Sequence, residues 1–293
     1  MNESLTPKQV ARALQVSESS VKRWCDKEII PTRYTAGGHR RIALSALIDF
    51  LRSSKHELVR PEVLGLPATT GQTMRVIDRA ASQFTEALLQ GDDEQCRQIV
   101  LDLYLAEHSI STICDLIFAK AFTTIGDRWK CGDAEVYQER RGCELAMRVL
   151  HELRTLIPAP PRDAPLAIGG AAEGDQYSLA TTMVELVLRD IKWNAVSMGS
   201  NLPFETLAAA IRQHQPKMFW LSVSHIKDEA QFIQSYSKLF DEFGAEVAFA
   251  VGGRALHEQI RQQIQYAAFC DNIRHLESFA QTLLSATGKQ SLT

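Results

Sequence analysis

Residues 173–180, EGDQYSLA, directly follow the apolar run APLAIGG, which ends in two glycines. The run reads as a buried strand, so Asp175 and Tyr177 stand just past its carboxyl end, where open α/β sheets hold their ligands. Two further loops share this setting: SVSHIKD, with Ser222 and Ser224, and GGRA, with Gly252 and Gly253. Small residues there admit the close approach of an extended ligand tail, although glycine and serine also end strands for local reasons. His225, directly after SVS, faces either this cleft or the surface, as a helix-capping side chain.

A second group of residues suits a polyanion. In ESSVKRWCDKE, Val21 and Trp24 lie three apart and face inward, which leaves Ser19, Ser20, Lys22 and Arg23 pointing away. Hydroxyls and cations on the first turns of a helix are what phosphate and base-edge contacts require. The TRYTAGGHRRI that follows places a Gly37-Gly38 turn between short extended pieces, a β-hairpin carrying Arg33, Tyr34, His39, Arg40 and Arg41. Residues 1–60 hold 11 Lys and Arg against 6 Asp and Glu, although the 293-residue chain has a formal net charge of -3. A basic head on an acidic body suggests a polyanion-binding head, and the partner expected from the helix and hairpin is an operator of double-stranded DNA.

The elements that must position these residues fall into three segments. Thr6 is an N-cap, Pro7 takes the first helical position and Gln9 completes a capping box. Val10, Ala13 and Leu14 form the apolar stripe of that helix, Ser17 caps the next, Pro31 closes the pair, and SALIDFLRSS follows the hairpin as a short amphipathic helix. Two helices and a basic hairpin make a winged helix-turn-helix over 1–66. PATTGQ, 67–72, reads as a linker. From 73 to 157 helical periodicity is continuous, and MRVIDRAASQFTEALLQGDD, EQCRQIVLDLYLAE, ISTICDLIFAKAFTTIGDRWKCGD and EVYQERRGCELAMRVLHELRTLI give a four-helix bundle.

After the proline-rich linker PAPPRDAP the rhythm changes over 165–290. LAIGGAA, NAVSMGS, MFWLSVS, EVAFAVGG and YAAFC read as buried strands alternating with helices, among them ALHEQIRQQ. That alternation implies a Rossmann- or flavodoxin-like parallel sheet with helices on both faces, so the fold class is multidomain, α plus α/β. The six cysteines, at 25, 96, 114, 131, 143 and 270, include no C-x-x-C pair and read as reduced thiols on helix faces. Polar MNESLTPKQV has no signal-peptide layout, and no apolar run approaches a membrane span, so a cytoplasmic protein with no membrane partner is expected. No catalytic constellation is read, and the chain is expected not to be an enzyme.

The run VSESSVKRWCDKEIIPTRYTAGGHRR resembles the DNA-binding domain of MerR-type regulators and related excisionase-like modules. The three carboxyl-end loops resemble the cobalamin-binding domain of methionine synthase and corrinoid proteins, which carries D-x-H-x-x-G, then S-x-L, then G-G. Forty-one residues separate Ala180 from Ser222 and twenty-seven separate Ser224 from Gly252, spacings that suit that family. ELVLRDIKWNAVSMGSNLP is similar to its segment between the first helix and the second strand. Helix-turn-helix, bundle and cobalamin domain, in that order, resemble the CarH/LitR light-sensing repressors.

That resemblance implies an oligomer, dimer or tetramer, on repeated operator DNA. In the group, adenosylcobalamin holds a tetramer that light disassembles by cleaving the cobalt–carbon bond. The histidine that would ligate cobalt from below is Tyr177 here, and the glycine after it is Ala180. The Trp-His and Glu-His that the family sets over the cofactor's upper face are Trp129-Lys130 and Glu139-Arg140. With all three histidines replaced, the cofactor is left open, and loss of histidine-ligated cobalamin is the expectation. A phenol is a poor cobalt ligand. Tyrosine can ligate ferric haem, so haem is one alternative, and cobalamin bound with its own base on cobalt is another. Lys130 and Arg140 suit an anionic group such as a phosphate or propionate. The rival from a different class is a corrinoid carrier of a methyltransferase system.

Overall fold

The structure is a computed structural model that describes residues 4–54, 56–67, 70 and 77–290. Most of the expected linker at 67–72, and the first residues of the expected helix from 74, lie outside the described residues. The chain divides into two compact units, Met1–Pro158 and Ala159–Thr293.

In the first unit, α1 (Pro7–Leu14) starts at the expected capping box: Thr6 Oγ1 accepts from the Gln9 amide at 3.2 Å, and Gln9 Oε1 accepts from the Thr6 amide at 2.9 Å. Gln15, in the left-handed region, ends α1, and Ser17 caps α2 (Glu18–Asp26). β2 (Thr32–Tyr34) and β3 (Arg40–Ala43) form the hairpin, and β1 (Ser4–Leu5), too short to show in the sequence, pairs antiparallel with β3. Then follows α3 (Leu44–Ser53). Leu5, Val10, Ala13, Val21, Ile30, Ile42 and Leu47 are fully buried among these elements. The inward face of α2 differs from the expectation at one residue: Val21 and Cys25 are its buried pair. Trp24 is half-buried, its ring 5.0 Å from Phe50 and 4.8 Å from His56.

The bundle consists of α4 (Ile77–Gln90), α5 (Asp93–Leu105), a third helical rod and α8 (Val136–Leu156). Gly91, at φ +81°, turns α4 into the Asp92 cap of α5. The third rod runs as α6 (Ile110–Ile113), a π-helical stretch Cys114–Ala119 and α7 (Lys120–Cys131). Periodicity does not reveal the π stretch, because buried Ile110, Ile113, Cys114, Ile117, Phe118 and Ala121 also fit an unbroken α-helix. Head and bundle meet within this unit: the Arg52 guanidinium sits 4.0 Å from the buried Tyr104 ring and donates to the His108 carbonyl. Arg97 donates to the Gly65 carbonyl at 2.9 Å and pairs with Glu152.

The second unit holds β4 (Leu166–Ala171), α9 (Leu179–Asp190), β5 (Asn194–Ser197), α10 (Phe204–His214), β6 (Met218–Ser222), α11 (Glu229–Phe243), β7 (Ala248–Gly252), α12 (Glu258–Arg261), β8 (Ala268–Cys270) and α13 (Ile273–Gln290). All neighbours pair in parallel, in the order β5-β4-β6-β7-β8. By order of appearance that is 2-1-3-4-5, whose switch point lies between β4 and β6. Phe219, Phe249 and Val251 face α10 and α11 through Ile211, Phe232 and Tyr236. Met218, Trp220 and Ala250 face α9 and α13 through Val184, Leu188, Leu276 and Ala280. The expected helix ALHEQIRQQ is only the single turn α12, because the chain wraps Leu256 and Ile260 into the core rather than running along it. Among the described residues, no helix is long and apolar enough to cross a membrane.

Candidate DNA interface and ligand-site residues

α2 presents one polar face. Ser17 Oγ accepts from the Ser20 amide at 3.0 Å and lies 2.8 Å from each of the Ser19 and Ser20 hydroxyls, so hydroxyls crowd its first turn. Ser19, Lys22 and Arg23 are exposed and Ser20 is half-buried. Lys22 pairs with Glu18 at 2.8 Å, and that hydrogen bond holds the Glu18 carboxyl below its usual range. The pair is exposed and contributes little to stability.

The hairpin closes through Gly38 at φ +75°, whose amide donates to the Thr35 carbonyl, while the Thr35 amide donates to the His39 carbonyl. Arg33 stands opposite Arg41 and Tyr34 opposite Arg40. Because alternate residues face opposite sides of a strand, Arg33 and Arg41 share one face. Arg33, Tyr34 and His39 are exposed, and Arg41 is half-buried with Nη1 donating to the Arg40 carbonyl at 3.1 Å. Arg40 differs from the other wing cations: its Nη2 donates to Asp26 Oδ1 at 2.5 Å, and its guanidinium lies 5.8 Å from the Tyr34 ring. Sequence reading groups it with Arg33 and Arg41 and passes over Asp26, since a pair 14 residues apart leaves no periodic signal.

At the sheet's carboxyl edge Asp175 is fully buried. Its Oδ1 accepts from the Tyr177 amide at 3.0 Å, and its Oδ2 accepts from the amides of Ser224 and His225 at 2.5 and 3.3 Å. The Asp175 carbonyl accepts from the Asn201 amide at 2.8 Å. One residue therefore staples three loops across the switch point, its carboxylate joining those after β4 and β6 and its backbone carbonyl holding the one after β5. Tyr177 is half-buried, with the Arg254 guanidinium 5.3 Å from its ring centre, and Arg254 Nε donates to the Ser224 carbonyl at 3.2 Å. His225 is exposed.

Ser222 is buried and Ser224 half-buried at the end of β6. The space left by the two glycines is taken by the chain itself. A Cβ on Gly252 would come within 2.6 Å of the Cys270 carbonyl oxygen, and one on Gly253, at φ +123°, within 2.2 Å of the Val223 oxygen. Behind this edge, Trp220 lies against Gly169 and its Nε1 donates to buried Thr181 at 2.9 Å. A cavity of about 310 Å³, lined by Trp193, Lys217, Glu246 and Leu283 among others, opens at the opposite, amino ends of the strands.

In the first unit, Gly132 at φ +79° ends α7 and the short turn into α8 brings two helix ends to one corner of the bundle. Trp129 there is 54% exposed, beside exposed Val136 and Tyr137. Lys130 pairs with Asp127 at 3.0 Å, and Glu139 takes both Arg140 and the Cys143 thiol. Burial, with Glu139 beside it, pushes the Cys143 thiol up to about 12, and burial does the same to Cys96. Neither is a nucleophile at neutral pH.

Comparison with known proteins separates the same parts. Residues 4–55 match the family described as helix-turn-helix domain and residues 80–154 the family described as B12 binding domain. The methanol–corrinoid protein of Methanosarcina barkeri is 22% identical over 129 residues, 44% of this chain and 50% of that protein. The chain thus spans about half the length of the curated relative it matches. Among solved structures, the monomethylamine corrinoid protein of Methanosarcina barkeri is 15% identical with a TM-score of 0.59, covering 70% of this chain and 98% of that one. A cobalamin-binding protein from Desulfitobacterium hafniense DCB-2 is 16% identical with a TM-score of 0.38, over 71% of this chain and 99% of that one. This chain joins a helix-turn-helix domain, which suggests DNA binding, to a B12-binding domain, which suggests cobalamin sensing.

Proposed function

We propose that this protein is a DNA-binding transcriptional regulator and not an enzyme, a repressor of the MerR-type CarH/LitR group. In this reading it acts as a homo-oligomer on repeated half-sites, and its sensor does not hold cobalamin through histidine. The observation that carries the reading is the head: an N-capped α2 with Ser19, Lys22 and Arg23 exposed, beside a hairpin exposing Arg33, Tyr34 and His39. That is the layout in which one helix enters a major groove and a wing follows the backbone.

Replacing Arg33 or Arg41 by alanine is expected to weaken binding to all duplexes alike and to lower the salt slope by about one unit per residue. Fluorescence anisotropy over a series of salt concentrations reads both. An unchanged slope in the Arg33→Ala, Arg41→Ala double variant removes the wing from the interface.

The residues at the carboxyl edge do not fit histidine-ligated cobalamin. Tyr177 carries a phenol under the Arg254 guanidinium, and both Asp175 oxygens already accept backbone amides. Histidine at 177 would therefore share the Asp175 carboxylate that could orient it with the three backbone amides it already accepts. Added hydroxocobalamin is expected to keep the same absorption spectrum with the wild type and with Tyr177→His. A histidine-dependent band shift in the variant overturns this, and a haem Soret band in protein from its native host makes Tyr177 the leading candidate for the haem ligand.

The corrinoid-carrier reading draws support from the curated relative, whose name is that of a corrinoid protein. Against it stand the basic head and Tyr177. Salt-dependent duplex binding decides between the two.

A further inference from the structure

We infer that Asp26 is a positioning residue for DNA binding: through Arg40 it clamps the wing to the end of the recognition helix. The inference rests on the DNA-binding reading of the head. Asp26 is the last residue of α2, a place where a carboxylate is disfavoured by the partial negative charge of the helix's carboxyl end. It also lies on the face offered to a polyanion, where an acid opposes phosphate. Two electrostatic costs at one residue call for an offsetting contact, and Arg40 Nη2 at 2.5 Å supplies it.

Arg40 is itself held on its other side. Its guanidinium lies 5.8 Å from the Tyr34 ring, and Tyr34 is its register partner across the hairpin. The chain from helix to wing is thus Asp26, Arg40, Tyr34, and it fixes the distance between the α2 face and the hairpin that carries Arg33 and Arg41. The Arg40 side chain is 27% exposed and already paired, which leaves it less available to a phosphate than exposed Arg33.

Two sign predictions separate a clamp from simple charge. If Asp26 acts only as a charge, Asp26→Ala tightens DNA binding and Arg40→Ala weakens it with a salt slope lower by about one. If the pair is a clamp, Asp26→Ala weakens binding, although it removes a negative charge from a DNA-binding face.

The test measures the affinity of the full-length chain, by anisotropy and across salt, for a duplex that the wild type selects from a random pool. Asp26→Ala and Arg40→Ala are each expected to weaken binding about tenfold, the first with its salt slope unchanged. The double variant is expected to be no weaker than either single one, because the second change finds the contact already gone. Asp26→Glu, which keeps the carboxylate, is expected to retain most of the affinity. Exposed ion pairs contribute little to folding, so all four variants should melt with the wild type, as circular dichroism checks. Tighter binding by Asp26→Ala, or additive losses in the double variant, overturns the clamp. A wild type with no salt-dependent affinity for any duplex overturns the DNA-binding reading, and the clamp's role with it.

Discussion

Asp175→Ala is expected to destabilise the α/β unit by about 3–5 kcal/mol, the range for stripping a buried charge or its partners from a hydrogen-bonded network. The carboxylate is fully buried and accepts three backbone amides, those of Tyr177, Ser224 and His225. Alanine leaves all three donors without their acceptor, at a side-chain position that is closed to solvent. Asp175→Asn is expected to cost less, since its amide oxygen still accepts while its NH2 faces amide donors. The chain has two compact units, so one denaturation curve mixes two transitions. Hydrogen exchange of the β4 and β6 amides isolates the relevant one. A loss of under about 1 kcal/mol in their protection would show that the loops hold together without the acid. Large loss of protection in the alanine variant assigns Asp175 to scaffold and leaves Tyr177 and Arg254 as the groups that face outward.

Local chemistry was legible in the sequence wherever it is local. Thr6, Pro7 and Gln9 announce α1 and Ser17 announces α2 because capping acts within one turn. Gly37-Gly38 announces the hairpin, and the change from helical to strand–helix rhythm after 158–165 announces the parallel sheet. What stayed hidden is what joins distant residues. Asp26 with Arg40, Arg52 with Tyr104 and Tyr177 with Arg254 are pairings that only the fold creates. Composition also misleads at Gly252 and Gly253: small residues at a strand end look like room for a ligand, yet the neighbouring backbone occupies it. The acid at 175 was found for its place past a strand, while its three amide partners required the loops after β4 and β6 to meet.

Trp220→Ala is expected to cost about 3–5 kcal/mol and to create a cavity that takes up free indole. The side chain is 2% exposed, lies in the apolar cluster between the sheet and helices α9 and α13, and donates Nε1 to Thr181 at 2.9 Å. Gly169, its neighbour on β4, has no side chain because a Cβ there would approach the Trp220 ring to 2.4 Å or closer. The hole left by the indole is therefore bounded by a glycine that cannot collapse into it. Thr181 keeps a partner in the Ser197 hydroxyl at 3.1 Å, so the hole stays largely apolar and dry. Indole at a hundred times its dissociation constant would return about 2.7 kcal/mol, measured as recovered protection of β6 amides. A variant that loses under about 1 kcal/mol and ignores indole would mean that this layer repacks freely. With the indole in place, the layer between the sheet and α9 is filled at Trp220, so a ligand at the switch point rests on the carboxyl edge itself. There it meets the Tyr177 phenol and the Arg254 guanidinium, a surface suited to a flat or anionic group.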